Sequence, residues 1–161
     1  MEYELKYGLA MEKCKMLSSY EGRDASSESG ESIYLKVKIT EQDEPLLRSY
    51  MEKAARMIEE RISRMMVSSE YGADGFRWRM RTDETRWNKL RDFGGNVLEA
   101  VVSYAMGEWM SDKIPGRTEM YKGMFADMSV MVVKNIFFKM PPKRPVKEVQ
   151  GDVYEVTLVE S

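Results

Sequence analysis

One period dominates the chain between Leu46 and Met65. Leu46, Leu47, Tyr50, Met51, Ala54, Ala55, Ile58, Ile62 and Met65 fall on a single stripe of a 3.6-residue helix, while Arg48, Glu52, Lys53, Arg56, Glu59, Glu60 and Arg64 fill the other side. About 22 residues at ~1.5 Å rise make a rod of roughly 33 Å, and its apolar stripe must be covered by something. Thr40 to Asp43 supplies the start: Thr40 or Asp43 as cap, acids at the positive end of the helix dipole, and Pro45 in the tolerated first turn. Glu52–Arg56 and Glu60–Arg64 are i,i+4 pairs in the favourable direction, each contributing about 0.2–0.5 kcal/mol. The small pair Ala54–Ala55 admits close approach by a second helix.

Two more helices can provide the cover. Asn96 reads as the cap of one, with Val97, Leu98, Val101, Val102, Ala105, Trp109 and Met110 inward and Pro115-Gly116 as its stop. Thr118 reads as the start of the next, with Tyr121, Met124, Phe125, Met128, Val132 and Ile136 inward and Pro141-Pro142 as its end. The short link Ile114-Pro115-Gly116-Arg117 makes these two antiparallel neighbours. Near the N-terminus Leu5, Leu9, Cys14, Met16, Leu17 and Tyr20 give a modest helical pattern that closes at Gly22.

Three segments carry strand patterns instead. Ile33, Leu35, Val37 and Ile39 alternate with Tyr34, Lys36 and Lys38, which predicts a half-buried strand. Asp74-Gly75 is a strong hairpin dipeptide; beyond it Phe76, Trp78 and Met80 alternate with Arg77, Arg79 and Arg81, and Val67–Tyr71 is the expected partner, so a hairpin is predicted near 66–82. In the extension over 143–161, Tyr154, Val156 and Leu158 alternate with Glu155 and Thr157 after a Gly151-Asp152 turn. The polar run over 23–32 reads as a flexible loop, and 83–95 as ambiguous, with one helical turn around Trp87 and Leu90. The expected fold is therefore mainly α: a single domain over 1–161 with a three-helix core (the long helix plus the antiparallel pair), an inserted β-hairpin and terminal strands.

Composition narrows the chemistry. Among 161 residues there is no histidine and one cysteine, Cys14. This removes Ser-His-Asp and Cys-His catalysis, histidine-liganded zinc, Glu-x-x-His di-iron sites, internal disulfides and CxxC motifs. No apolar run approaches the roughly 20 residues that cross a bilayer, and the acidic opening Met1-Glu2-Tyr3-Glu4 is unlike a secretory signal, so neither membrane nor export is expected. No cofactor or metal site is expected. Glu59–Glu60 and Asp43–Glu44 are adjacent in sequence and do not face one another on a helix, so they read as solvated charges. Asp92-Phe93-Gly94-Gly95-Asn96 lacks the spacing of a phosphate loop. Cys14 reads as a small buried hydrophobe. Fifteen methionines suit either a re-packable interface or a core in which Met stands in for Leu.

The net charge is −2, but residues 61–91 form a basic island carrying 8 basic and 4 acidic groups. Arg77, Arg79 and Arg81 on one strand face invite a nucleic-acid reading. The aromatics of that strand alternate to the other face and cannot stack bases held by the arginines. A solvated face or an ion-pairing contact with an acidic neighbour is the favoured reading, with the aromatics buried against helices or a partner. No catalytic constellation survives, and the pattern is that of a protein whose work is contact.

Ile39-Thr40-Glu41-Gln42-Asp43-Glu44-Pro45-Leu46-Leu47, followed by Tyr50, Ala54-Ala55 and Ile58-Glu59, and then by Val97-Leu98-Glu99-Ala100-Val101-Val102 with Trp109, resembles the head-to-tail connector (adaptor) proteins of tailed bacteriophages. The resemblance covers about 40–140 and departs from the shortest family members in the first 38 residues, the 66–82 hairpin length and the C-terminal strand pair. It implies a non-enzymatic ring of about twelve subunits that docks below the portal protein, receives the tail or a stopper protein, and lets DNA pass without specific contacts. The place implied is the virion neck, and the host cytoplasm during assembly. Edge-strand logic then assigns Phe76, Trp78 and the hairpin, together with Tyr154, Val156 and Leu158, to contacts with neighbouring subunits or the portal. Two alternatives stand beside it: another phage tail-completion protein with a sheet-based fold, and a small nucleic-acid-binding regulator using Arg77, Arg79 and Arg81.

Overall fold

A computed structural model describes residues 1–23, 33–82 and 90–137. In chain order the elements are β1 (Glu2–Lys6), α1 (Tyr7–Gly22), α2 (Tyr34–Val37), α3 (Glu44–Arg61), β2 (Met66–Tyr71), β3 (Gly75–Met80), α4 (Phe93–Met110) and α5 (Pro115–Phe137). The described residues are mainly helical (70%), with a small three-stranded antiparallel sheet, as the sequence periods require. A helix share this high is the opposite of the sheet-based fold that a tail-completion alternative called for.

The long stripe forms α3. Leu47, Met51, Ala54, Ala55 and Ile58 are buried, and Leu46 at its start is 46% exposed. Thr40 and Asp43 make a capping box: the Thr40 amide and hydroxyl both donate to the Asp43 carboxylate, 2.9 Å each. Pro45 lies in the first turn, where its missing N–H costs nothing. α4 packs across α3 and lies against α5 as its main neighbour. α4 is buried nearly all round, including Val97, Val101, Ala105, Met106 and Trp109, and so forms the centre of the domain.

Helix boundaries differ from expectation in two instructive ways. α4 starts at Phe93, one turn before Asn96, and Asn96 Nδ2 instead donates 2.7 Å to Asn135 Oδ1 on α5. Pro115 opens α5 and Thr118 is buried within it; proline suits a first turn because its N–H would be unpaired there. Gly22 does close α1, and a Cβ there would stand 3.0 Å from the Tyr34 ring and 3.3 Å from Val37, so its smallness lets α2 press against the helix end.

The predicted strand over 33–39 is absent. Tyr34–Val37 makes a single helical turn, Leu35 points outward at 86% exposed, and only Val37 and Ile39 are buried. The backbone here is satisfied by its own turn and by side chains rather than by a neighbouring strand: the Lys36 and Val37 amides donate to the Ile33 carbonyl, the Ile39 amide donates 3.0 Å to Ser18 Oγ, and the Val37 carbonyl accepts 2.7 Å from Trp109 Nε1.

The hairpin forms as predicted, with β2 and β3 antiparallel and a bulge between Met66 and Ser68. The third strand is β1, which takes in Leu5, a residue whose spacing predicts a helix. β1 pairs antiparallel with β3, so the sheet order is β1-β3-β2 and β3 is central. The alternation Glu2-Tyr3-Glu4-Leu5-Lys6 was the available strand signal. Residues 24–32, 83–89 and the C-terminal strand pattern with Tyr154, Val156 and Leu158 lie outside the described residues.

Candidate contact surfaces

β3 divides the arginines from the aromatics as its period demands. Phe76 and Trp78 are 2% and 0% exposed. They sit in an aromatic cluster with Tyr3 and Phe93: Phe76–Trp78 ring centroids are 4.6 Å apart, and Tyr3 meets Phe93 edge-on at 5.3 Å. Their side chains belong to this chain's own core, so the assignment of Phe76 and Trp78 to a subunit or portal contact is corrected. The physical reason is β1: once it pairs with β3, the strand that carried the expectation is no longer an edge.

Arg77, Arg79 and Arg81 lie on the opposite, exposed face. Register sets Glu4 and Glu70 across from Arg77, and Glu2 and Ser68 across from Arg79. Arg77 Nη2 stands 3.3 Å from Glu4 Oε2. The acidic neighbour is thus the chain's own first strand, and the arginine row is interleaved with carboxylates. An exposed pair of this kind contributes only about 0–1 kcal/mol, but it breaks up the continuous positive strip that phosphate binding would use.

The carboxylates singled out by sequence have structural partners. Glu44 takes Lys15 from α1 and, at 3.3 Å, Arg48 one turn on; the Lys15 hydrogen bond holds the Glu44 carboxyl below its ordinary range. Asp43 caps α3. Glu59 is half-buried and accepts a hydrogen bond from Tyr71 Oη, which in turn accepts 3.2 Å from Trp78 Nε1. Arg56 lies 4.0 Å over the Tyr71 ring. Burial, and after it the Glu59 hydrogen bond, push the Tyr71 phenol well above its usual range. This chain of contacts ties β2 to α3 and β3, so Glu59 is not the freely solvated acid its sequence position suggested, whereas Glu60 is exposed.

Gly94 also has a packing role. Tyr3 Oη donates 3.2 Å to the Gly94 carbonyl, and a Cβ at Gly94 would stand 3.2 Å from the Tyr3 ring. Cys14 is fully buried, and burial pushes its thiol up to about 12, away from nucleophilic use. Among the described residues no group of His, Cys, Asp and Glu could hold a metal ion, and no helix is long and apolar enough to cross a membrane.

What the surface does offer is apolar helix faces. Leu9, Met16 and Tyr20 stand on the outer side of α1, 51%, 64% and 72% exposed. On α5, Met120, Met124, Val130 and Met131 are exposed as well, so Met124, expected inward, turns out to flank the outer face. The inner faces of the same helices are buried, through Ala10, Met11, Cys14 and Ser18 on α1 and Tyr121, Ser129, Val132 and Ile136 on α5. Both helices therefore carry apolar side chains on two sides, with charged residues among the outer ones. The sequence signal was present in the spacing of Leu9, Met16 and Tyr20, but an apolar stripe does not state whether it faces in or out. In comparisons with known proteins, the chain matches no family model, no curated protein and no solved structure.

Proposed function

We propose that this chain is a non-enzymatic structural subunit of a tailed-phage neck, assembling into a ring that joins the portal protein to the tail or a stopper protein and leaves a passage for DNA. One observation carries the reading: a long helix, a hairpin and an antiparallel helix pair (α3, β2–β3, α4–α5) follow one another over the stretch 40–140 whose residues carry the connector resemblance. The outward apolar faces of α1 and α5 add weight, because a protein that works by contact needs such surfaces. The interleaving of Arg77 and Arg79 with Glu2, Glu4 and Glu70 weighs against the regulator alternative.

The test is assembly. The purified chain, alone at high concentration and mixed with the portal protein encoded in the same genome, is examined by mass photometry and negative-stain microscopy. Rings seated on the portal are the expected result; a chain that stays monomeric under both conditions overturns the reading. Truncation after Met140 asks what the C-terminal extension does: loss of portal binding with ring formation retained would assign Tyr154, Val156 and Leu158 to the portal.

A further inference from the structure

We infer that, in the ring proposed above, the outer face of α1 of one copy packs antiparallel on the outer face of α5 of the next copy. The occupant of each unpartnered face is thus the other face on a second copy of this chain. This rests on the neck reading and adds to it which surfaces join the subunits.

Three observations lead there. First, the two faces differ, and a contact between two different patches of one chain is heterologous, the kind that closes into rings. A self-matching face would yield pairs instead. Second, the shapes fit. Successive outward residues on α1 are Leu9, Met16 and Tyr20, all protruding. The outer face of α5 offers one recess within reach of them: at Gly123 an added Cβ would meet nothing within 4 Å. Protruding side chains need such recesses, and Met120 and Met124 beside Gly123 adapt around an inserted ring.

Third, charge fixes the direction. The α1 face runs from Glu12 to Arg23, the residue just past its end, and the α5 face from Glu119 through Asp127 to Lys134, so each goes from acid to base. Glu12, Arg23, Glu119, Asp127 and Lys134 are exposed, and among the described residues none of them takes part in an ion pair, although Arg23 lies 5.5 Å over the Tyr20 ring. Parallel packing sets Glu12 against Glu119 and Arg23 against Lys134. Antiparallel packing sets Arg23 against Glu119 and Glu12 against Lys134. Glu12 and Arg23 are about 16 Å apart along the helix, and Glu119 and Lys134 about 22 Å, at ~1.5 Å per residue; long side chains span the difference. In that register Tyr20 lies over Gly123, Met16 lies near Asp127, and Leu9 lies near Met131 and Lys134.

Cross-linking reads the register directly. A tagged M16C chain is mixed with an untagged D127C chain and assembled on portal rings under oxidising conditions. Cys14 is buried and does not compete. The expected result is a tagged–untagged dimer formed several-fold more than in the control mixture of M16C with E119C, which lies about two turns out of register. A second measurement uses charge alone: R23E raises the concentration for half-assembly about tenfold, and the added E119R restores it. Rings that form without the M16C–D127C cross-link, or with equal yield in the control, overturn this inference while leaving the neck reading in place. Monomers under all conditions overturn both.

Discussion

The indole nitrogen of Trp109, on the last turn of α4, donates a 2.7 Å hydrogen bond to the carbonyl oxygen of Val37, and the contact is buried. Seventy-two residues apart in sequence, the two groups answer one structural need. The segment over 33–39 has no strand beside it, so a side chain must satisfy the Val37 carbonyl that its own helical turn leaves over. Lys113 Nζ lies 3.6 Å over the same indole and covers it from solvent.

Trp109→Phe keeps an aromatic ring in place and removes the donor. The Val37 carbonyl is then buried without its partner, a cost of about 1–3 kcal/mol. Chemical denaturation should show that loss as a lower midpoint with an unchanged slope. A variant as stable as the parent would mean that the carbonyl finds another donor.

Tyr71→Phe tests the link between β2, β3 and α3. It deletes the donor to Glu59 and the acceptor for Trp78 Nε1 together. Destabilisation of about 1–3 kcal/mol is expected in unfolding experiments. Glu59→Gln, which can still accept from Tyr71, should cost clearly less.

Gly75→Ala probes the junction of β1 and β3. A Cβ at Gly75 would stand 2.1 Å from the Leu5 carbonyl oxygen and 3.0 Å from Lys6 Cα, both backbone atoms. Backbone cannot swing aside as a long side chain can, so the cost is expected at or above the upper end of the ~1–3 kcal/mol typical of overpacking. Hydrogen exchange should localise the damage, with amides of 2–6 losing protection before those of α4.

Stability should be flat through neutral pH and fall steeply in alkali. No histidine titrates in the neutral range. Burial raises Cys14 from 9.0 to about 12, and burial with the nearby Glu52 carboxylate raises Tyr7 from 10.0 to about 12. Across those intervals the unfolded chain releases protons that the folded chain keeps, so stability is full below about pH 9 and is lost as pH rises toward 12. Tyr3, Tyr71 and Tyr121 shift the same way and steepen the fall. On the acid side, Glu44 is held low by Lys15, so its contribution is lost as pH drops through the carboxylate range. Melting temperature against pH checks both limbs, and a thiol reagent should leave Cys14 unmodified until the protein unfolds.

Local sequence determined the elements whose cause is local. The apolar stripe after Leu46, the Asp74-Gly75 turn and the short link at Pro115 each contain their own instructions: a helical period, a dipeptide suited to a tight turn, and a connection too short for anything but antiparallel neighbours. The split of Phe76 and Trp78 from Arg77 and Arg79 follows from strand period alone. That much of the fold, and the exclusion of histidine chemistry, was readable without coordinates.

The tertiary structure decided what depends on distant partners. Alternation at Ile33–Ile39 and at Glu2–Lys6 looks alike in sequence, yet only the second is a strand, because β3 offers it an open edge while Ser18 and Trp109 reach the first with side chains. The same dependence moved Phe76 and Trp78 from a surface to the core, and gave α1 and α5 their outward apolar faces. Period tells a residue which side of its element it shares, but burial is a property of what arrives on that side, and here the arriving groups lie up to about 80 positions away.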